Sequence, residues 1–291
     1  MSANTVLAHI RSLLPSLAPA EQRVAAVALN DAQAAARMTI SELAVAATTS
    51  ETTVVRFCRA IGLRGYPELR IALASAAALV TEDAPALGSD IGPEDPIADV
   101  IAKVGFADSQ AIVDTVAGLD REIVEKVVSG LIDARRVELY GVGASAFVAL
   151  DFQQKLHRIG RTVYAWVDPH IALTSAALLT DQDVAIGISH TGETADTILS
   201  LQEARSRGAT TVAITNFPRS AIAQAADLVV TTSVRETTFR SGAMASRIAA
   251  LTVVDCIFVA MAQRDYGAVL EALERTRRAV TALNRRDGRR G

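Results

Sequence analysis

The sequence is poor in the residues that build disulfide frameworks and metal sites. Its 291 residues include two cysteines and four histidines. Cys58 and Cys256 lie far apart in apolar periodic segments, and no Cys-x-x-Cys pair or Cys/His ligand spacing occurs. This pattern argues against a disulfide or a zinc site and favours two buried thiols in a reducing compartment. We expect no metal and no cofactor.

An excess of one charge sign and long hydrophobic runs are lacking as well. The formal net charge is −3, so any affinity for nucleic acid must be local to one part of the surface. The apolar runs are shorter than the roughly 20 residues that span a bilayer. The N-terminus has no long apolar core and no small-residue cleavage site. We therefore expect a cytoplasmic protein with no membrane partner.

The composition favours a folded, helix-rich chain, because 50% of the residues are hydrophobic and only 4% are aromatic. Residues 1–80 show helical spacing of apolar residues throughout. Residues 81–96 are rich in Pro, Gly and acids and show no period, which predicts a linker. A second domain is expected over 97–275, and the arginine-rich residues 276–291 are expected to form a solvated, frayed basic tail.

Short runs rich in β-branched residues alternate with helical segments in the second domain. The runs cover residues 137–143, 162–167, 183–189, 210–216 and 228–233. Strands that alternate with helices form βαβ units, so a five-stranded parallel sheet with helices on both faces is expected. A long apolar helix follows at about 243–263. The predicted fold is an all-α domain followed by an α/β domain.

Residues 39–70 predict two short helices joined by a turn. Thr39 and Glu42 have the spacing of a capping box, which starts a helix. After the turn, Ser50 can cap a second helix that runs to about Ile61. Two short helices joined by a few residues are typical of a helix-turn-helix.

The second of these helices is predicted to have an apolar face and a polar face. Thr52, Arg56 and Arg59 recur at i, i+4 and i+7 on the polar side, and Thr53 flanks them. In a helix-turn-helix, the first residues of the second helix contact base edges in the major groove. Arg56 suits a guanine and Arg59 a phosphate. A plain amphipathic helix with a solvated arginine face is the alternative. The candidate DNA contacts are Ser50, Thr52, Thr53, Arg56 and Arg59.

Two polar loops follow the first and third predicted strands. The first, YGVGASA, places Ser145 near the start of a helix, and the second, SHTGET, covers residues 189–194. Ligands of open parallel sheets bind at the carboxyl ends of strands, near the switch in strand order. Hydroxyls of Ser145, Ser189, Thr191 and Thr194, together with helix N-terminal amides, can bind a phosphate without a lysine.

Other interpretations of these loops stay open at this point. The run from Gly141 to Ala146 fits a Gly-x-Gly-x-x-Ala dinucleotide fingerprint, with Asp168 as the ribose acid, but a lone motif of this kind is weak evidence. A Walker A loop is excluded because Gly-Lys-Ser/Thr is missing. The serine and threonine hydroxyls can also simply cap helices.

Residues 39–70, with TISELA, SETTVVRFCRAIG and GYPEL, resemble the DNA-binding domain of the RpiR family of bacterial transcription regulators. The pair GVGAS and SHTGET resembles the sugar isomerase (SIS) domain, a phosphosugar-binding fold of flavodoxin-like, doubly wound type, which that family joins to its helix-turn-helix. Thr215 and Asn216, at the end of the fourth strand, are expected to add a contact. For Glu236 and Arg240, which the likeness also places at this site, a surface ion pair is the alternative. By this likeness the phosphosugar site is lined by Ser145, Ser189, His190, Thr191, Thr194, Glu236 and Arg240.

The resemblance implies a DNA-binding regulator of a sugar or amino-sugar catabolic operon rather than an enzyme. Its implied partners are operator DNA, a phosphosugar effector and further copies of the chain, in a homodimer or homotetramer. A phosphosugar aldose–ketose isomerase with an accessory helical domain is the alternative, because SIS domains serve both roles. An isomerase needs a positioned acid and base, for which His190, Glu236 and His157 are candidates. The attached helix-turn-helix favours sensing.

Overall fold

The computed structural model describes residues 3–77, 90–234 and 244–287. The chain divides into two compact units, each of which draws on separate stretches of sequence. The first unit comprises Met1–Leu119, Thr215–Ser220 and Thr231–Thr252. The second comprises Asp120–Ile214, Ala221–Val230 and Val253–Gly291.

The first unit starts with a series of short helices, which confirms the all-helical prediction for its N-terminal part. The helices are α1 Ala3–Leu13, α2 Pro19–Asn30, α3 Ala32–Arg37, α4 Ile40–Ala46, α5 Glu51–Ala60 and α6 Tyr66–Ala77. Their apolar faces share one core, in which Ile10, Phe57 and Leu69 have no exposed surface. Most of the predicted linker lies outside the described residues, and α7 Ile97–Gly118 follows it.

Helices α4 and α5 start where they do because side chains satisfy their first amides. The Thr39 hydroxyl accepts a hydrogen bond from the Glu42 N–H at 3.3 Å, and the Glu42 carboxylate accepts one from the Thr39 N–H at 2.7 Å. The predicted capping box is therefore confirmed. Ser50 Oγ accepts a hydrogen bond from the Thr53 N–H at 3.3 Å, as predicted for the second helix. Such caps each stabilise a helix by about 1 kcal/mol.

The turn between α4 and α5 carries one strained residue. Both helices end in the same pattern of backbone hydrogen bonds, the Schellman motif, which requires a left-handed residue just past the helix. That residue is Gly62 after α5, with φ 80°, but Thr48 after α4, with φ 49°. Arg23 of α2 holds this turn by donating to the carbonyls of Ala47 and Thr48, each at 3.1 Å.

Replacing Thr48 with glycine is expected to stabilise the protein by about 1 kcal/mol, because a β-branched residue is disfavoured in the left-handed region. The carbonyl bonds from Arg23 involve backbone atoms only and survive the change. Urea denaturation measures the effect. Gly62→Thr, at the equivalent position after α5, should have the opposite sign; a Thr48→Gly variant less stable than wild type would contradict the strain.

The second unit is built on the five predicted strands. They are β1 Arg136–Gly141, β2 Val163–Trp166, β3 Asp183–Ile188, β4 Thr210–Thr215 and β5 Leu228–Thr231. The last residues of β4 and β5 are counted with the first unit. The strand order is β2-β1-β3-β4-β5. Parallel pairing and this order confirm the flavodoxin-like, doubly wound prediction.

Helices surround this sheet, so the central strand β3 is buried at every residue. Burial on both faces explains why its sequence reads as a nearly continuous apolar run. The helices that follow α7 are α8 Arg121–Asp133, α9 Ala144–Arg158, α10 Pro169–Ala176, α11 Ala195–Ser206, α12 Ala221–Ala225, α13 Ala245–Arg264 and α14 Tyr266–Asp287.

Helix α13 corrects the prediction that no segment is long and apolar enough to span a bilayer. By length and composition alone, its 20 residues pass that test. However, 44% of its apolar window is buried inside the protein. Val253, Val254 and Ile257 have no exposed surface. Packing against protein therefore accounts for much of its apolar character.

Helix α14 corrects the predicted frayed tail, because the chain stays helical to Asp287. Glu274 accepts hydrogen bonds from Arg278 at 2.8 Å and from Arg277 at 3.1 Å. These bonds hold the pKa of Glu274 below its usual value. Arginine favours helix, and pairs at i+3 and i+4 add a few tenths of a kcal/mol each, about 0.2–0.5. Arg277 and Arg278 therefore support the helix rather than end it.

The two cysteines differ in burial, and only Cys58 lies in the core as expected. Neither forms a disulfide, Cys58 is fully buried, and Cys256 is partly buried. Burial raises the pKa of Cys58 to about 11, so its thiol stays protonated and unreactive near neutral pH. Within the described ranges, no group of three or more His, Cys, Asp or Glu side chains is arranged to hold a metal ion.

Candidate functional sites

Three of the predicted DNA-contacting side chains share the exposed face of α5. Thr52, Arg56 and Arg59 are all exposed, at i, i+4 and i+7. On the opposite face, Val54 and Phe57 have no exposed surface. Because one face is anchored in the core, the polar face has a fixed direction. The structure thus brings together a hydroxyl and two guanidinium groups on one helix surface.

The hydroxyls of Ser50 and Thr53 make hydrogen bonds at the start of α5, and of the two residues only Thr53 is buried. Thr53 is only 9% exposed. Its hydroxyl lies 3.1 Å from Ser50 Oγ, the same atom that caps the helix. One residue along a helix turns the side chain by about 100°, which carries Thr53 from the face of Thr52 toward the core. The prediction that Thr53 flanks the DNA-contacting face is therefore corrected: its role is to help hold the start of α5.

Glu21 of α2 contacts the candidate DNA face, which the sequence did not reveal. Its Oε1 accepts from Arg56 Nε at 3.2 Å, while Oε2 accepts from the Ala18 N–H at 3.1 Å. Glu21 is 9% exposed, whereas the Arg56 side chain stays 57% exposed. Glu21 therefore holds one edge of the guanidinium and directs the rest outward. The two residues are 35 positions apart, so no local pattern signals the pair.

The two polar loops begin side by side at the switch in strand order. Strands β1 and β3 are neighbours, and Gly141 is in register with Ile188. Neighbouring strands lie about 4.8 Å apart. Ser145 follows Gly141 by four residues, and Ser189 follows Ile188 directly. The chain places β2 beyond β1 and β4 beyond β3, which is the arrangement that opens a ligand crevice.

Helix α11 starts at this edge without a side-chain cap. Thr194 is its N-cap residue, but its hydroxyl makes no hydrogen bond to the first turn. By contrast, Asp168 caps α10 at the same edge by accepting from the N–H groups of His170 at 2.9 Å and Ile171 at 3.1 Å. The cap role occupies the residue considered as a ribose acid. The first turn of α11 therefore keeps the amides and the partial positive charge that attract anions.

The hydroxyls of the second loop form a small network. Ser189 is 2% exposed, and its Oγ accepts from the Gly192 N–H at 3.1 Å. The same oxygen lies 3.0 Å from Thr194 Oγ1, which explains why Thr194 does not cap α11. Thr191 is exposed, and its hydroxyl accepts from the Glu193 N–H at 3.3 Å. These hydroxyls thus shape the loop, and a bound phosphate has to share them.

Ser145 is the site hydroxyl that the fold uses least. It is the second residue of α9, partly buried, and its side chain makes no hydrogen bond within the described part of the chain. The amides of Ser145 and Ala146 bond to the carbonyls of Val142 and Gly143, at 3.2 and 3.1 Å. At α9 it is therefore the hydroxyl, more than the amides, that is open to a ligand. His190 is partly buried in the second loop.

Replacing Gly141 with alanine is expected to destabilise the protein by about 1–3 kcal/mol, as overpacking does. A Cβ at Gly141 would lie 2.8 Å from the backbone oxygen of Ser145, so the start of α9 would have to shift. Gly130→Ala in α8 is the matched control, because its Cβ would have its nearest neighbour at 3.9 Å. Thermal melts should move in opposite directions, since alanine favours helix. A Gly141→Ala variant that melts at the wild-type temperature would show that the turn after β1 accommodates a Cβ without strain.

Three further residues expected at this site have different outcomes. Glu236 and Arg240 lie outside the described residues, so their roles stay predictions. Asn216 is 2% exposed, and its amide is used within the first unit. Its Oδ1 accepts from the Val234 N–H at 2.8 Å, and its Nδ2 donates to the Val234 carbonyl at 3.3 Å. The structure gives Asn216 a structural role in place of the expected ligand contact.

A small cleft opens beside the two loops, at the ends of β1 and β2. The space between its walls is about 190 Å³ with open solvent included, and Tyr140, Val142, Trp166, Asp196 and Thr197 contribute to its lining. Thr197 Oγ1 and Trp166 Nε1 are buried and have no hydrogen-bond partner among the described residues. The cleft therefore offers an aromatic wall and two unused polar atoms next to the hydroxyl loops.

A buried carboxylate, that of Glu138, holds Tyr140 of the cleft lining in place. Glu138 of β1 has no exposed surface. It accepts hydrogen bonds from the Tyr140 hydroxyl at 2.7 Å and from the Ser175 hydroxyl at 2.5 Å. Burial, and then the Glu138 charge, raises the pKa of Tyr140 well above its usual value, so this phenol stays neutral. The sequence analysis missed Glu138, although a charged residue inside a central strand is itself a signal.

Comparisons with known proteins match both parts of the chain in order. A model described as "Helix-turn-helix domain, rpiR family" matches residues 4–79, and the SIS domain model matches residues 130–260. An uncharacterized HTH-type transcriptional regulator of Caldanaerobacter subterraneus is 41% identical over 271 residues, covering 93% of this chain and 95% of that protein. The HTH-type transcriptional regulator HexR of Pseudomonas aeruginosa is 38% identical over 257 residues, 87% of each chain.

A solved structure has the same two-part organisation. The Vibrio vulnificus NanR protein, complexed with ManNAc-6P, is 27% identical to this chain with a TM-score of 0.60. The match covers 96% of this chain and 98% of NanR. The similarity therefore extends over both the helical part and the sheet.

Proposed function

This chain belongs to the rpiR family of helix-turn-helix transcriptional regulators, and on that premise we propose that a phosphosugar bound beside α11 controls operator binding by α5. The operator belongs to a sugar or amino-sugar catabolic operon in this proposal. The protein acts in the cytoplasm as a homodimer or homotetramer. Two copies suit the task, because half-sites about 34 Å apart are read by two recognition helices.

One observation carries the ligand part of the proposal. At the switch in strand order, the first turn of α11 has no side-chain cap, and the Ser145 hydroxyl has no hydrogen bond in the described part of the chain. Helix dipole, amides and hydroxyls together stabilise a phosphate dianion without a lysine. The proposed contacts are Ser145, Ser189, His190, Thr191 and Thr194, with Glu236 and Arg240 as further candidates. NanR, complexed with ManNAc-6P, supports a phosphorylated amino sugar as the ligand class.

The DNA part of the proposal assigns different tasks along α5. Thr52 and Arg56 contact base edges, and Arg59 contacts a phosphate. Ser50 and Thr53 hold the first turn of the helix. Glu21 orients Arg56 by bonding its Nε, so the guanidinium needs little reordering when it meets a base.

A ligand screen separates this proposal from its alternatives. Sugar phosphates, the same sugars without phosphate, and inorganic phosphate are each added to the full chain, and the melting temperature is measured. A ligand at about 100 times its Kd stabilises the folded state by about 2.7 kcal/mol, a shift of several degrees. Equal shifts in melting temperature for a sugar with and without its phosphate group would contradict the proposed phosphate site.

The same samples test for catalysis. We propose sensing, so the top-ranked sugar phosphate should be recovered unchanged after prolonged incubation, as followed by NMR. Conversion of an aldose phosphate to its ketose, lost in His190→Ala, would replace the sensor with an isomerase. The relatives described above are named as transcriptional regulators, which favours the first outcome.

A further inference from the structure

We propose that Arg219 couples the loop 189–194 to the C-terminal end of α5, so that a bound phosphosugar changes operator affinity through this side chain. The inference rests on the proposed function and names how its two sites are connected. It follows from three consecutive sets of hydrogen bonds along one stretch of chain.

The first set joins the loop 189–194 to the start of α12. Within the second unit, the Ala221 N–H donates to Glu193 Oε1 at 3.1 Å, and the Ile222 N–H donates to the Gly192 carbonyl at 2.9 Å. The N–H of Gly192 is itself bonded to Ser189 Oγ. A phosphate that engages the Ser189 hydroxyl therefore perturbs the residue on which α12 is docked.

The second set ties together the residues just before α12. Ser220 donates to the Phe217 carbonyl through both its N–H, at 3.1 Å, and its hydroxyl, at 2.7 Å. The Asn216 side chain is fixed to the Val234 backbone. A peptide bond joins Ser220 to Ala221, so a shift of Ala221 is passed to the turn as a whole rather than absorbed by it.

The third set joins this turn to α5, within the first unit. Arg219 donates from Nη2 to the Ala60 carbonyl and from Nη1 to Ser16 Oγ, each at 3.4 Å. The preceding carbonyls, those of residues 57–59, accept from N–H groups just past the helix, so Arg219 completes the cap at the last residue of α5. A cation at this end also interacts favourably with the helix dipole.

These contacts make Arg219 sensitive to the loop and α5 sensitive to Arg219. Coupling between two sites usually changes affinity by about 5- to 150-fold, and linkage requires the same factor in both directions. Loss of Arg219 should remove the coupling while leaving each site able to bind its own partner, because Arg219 is not among the contacts proposed for either ligand.

The test uses the full chain with Arg219→Gln, and Arg207→Gln as a control that removes an exposed arginine paired only locally with Glu203. Fluorescence anisotropy gives the operator Kd with and without the top-ranked sugar phosphate of the screen. Calorimetry gives the Kd of that compound with and without operator DNA. In Arg219→Gln both ratios should fall to within about twofold of 1, while wild type and Arg207→Gln keep about 5-fold or more.

The outcomes separate the inference from the function beneath it. If Arg219→Gln keeps the wild-type ratios, the inference is overturned and the function stands. If the wild-type Kd for each ligand is the same with and without the other ligand, the proposed function itself is contradicted. A merely structural role for Arg219 would lower the melting temperature or both intrinsic affinities but leave the two ratios intact, which also overturns the inference. Arg219→Lys, which keeps the cation at the helix end, should restore part of the coupling.

Discussion

Replacing Arg56 with alanine is expected to weaken specific operator binding by about 5- to 150-fold, the range for loss of one bidentate contact to a base. Arg56 sits on the exposed face of α5, and Glu21 already fixes its direction. Anisotropy with the operator and with an unrelated duplex measures the specific part of the loss. Arg207→Ala, far from α5 in sequence and exposed, serves as the charge-matched control.

Alanine at position 56 also strips a partner from Glu21, whose side chain is 12% exposed, so part of the loss can come from stability. Arg56→Lys resolves this, because lysine keeps the charge beside Glu21 but lacks the planar fork. We expect Arg56→Lys to melt like wild type and to lose discrimination between operator and unrelated DNA. Full discrimination by Arg56→Lys would show that Arg56 does not read a base.

Arg59 supplies a contrast inside the same helix. As a phosphate contact, its loss should weaken operator and unrelated DNA alike and reduce the salt dependence of binding by about one ion. The pair of arginines thus separates base reading from backbone contact. Identical behaviour of the Arg56 and Arg59 variants would contradict that division of tasks.

Replacing Ser145 with alanine is expected to weaken sugar phosphate binding by about 10- to 150-fold without lowering the melting temperature, since a hydrogen bond to a charged group contributes about 1.5–3 kcal/mol. The Ser145 hydroxyl has no hydrogen bond to another described residue, so the substitution removes none of the hydrogen bonds described above. Calorimetry gives the affinity and thermal melts the stability. Ser206→Ala, an exposed serine at the end of α11, is the control.

Ser189→Ala should behave differently, because Ser189 Oγ accepts from the buried N–H of Gly192. Without the hydroxyl, this N–H keeps its bond to the Ser189 carbonyl at 3.2 Å, but Thr194 Oγ1 loses its partner, so the variant should lose ligand affinity and about 1 kcal/mol of stability. A wild-type affinity of Ser145→Ala for the sugar phosphate would show that Ser145 does not contact the ligand. Unchanged stability in Ser189→Ala would show that the loop keeps its shape without the hydroxyl.

Features set by neighbouring residues could be predicted from the sequence. The capping box of Thr39 and Glu42, the cap at Ser50 and the strand–helix alternation each depend on a few adjacent positions. Strand order followed from the doubly wound resemblance, and it placed Ser145 and the loop 189–194 at one edge.

Features set by tertiary packing could not be predicted in this way. Glu21 contacts Arg56 only because α2 packs on α5. Thr53 is buried because the apolar face of α5, which packs into the core, sets the orientation of the helix. Which hydroxyl of the second loop serves the fold depends on how the loop turns, so Ser145 and Ser189 looked equivalent in the sequence.

The most direct test of a linked DNA site and phosphosugar site is the operator Kd of the unmodified full chain, measured by anisotropy as the top-ranked sugar phosphate is titrated. We expect the Kd to change by at least about 5-fold in one direction and to saturate at the concentration that saturates the thermal shift. The same sugar without its phosphate should have no effect. An operator Kd that stays constant through saturation would contradict phosphosugar control of DNA binding.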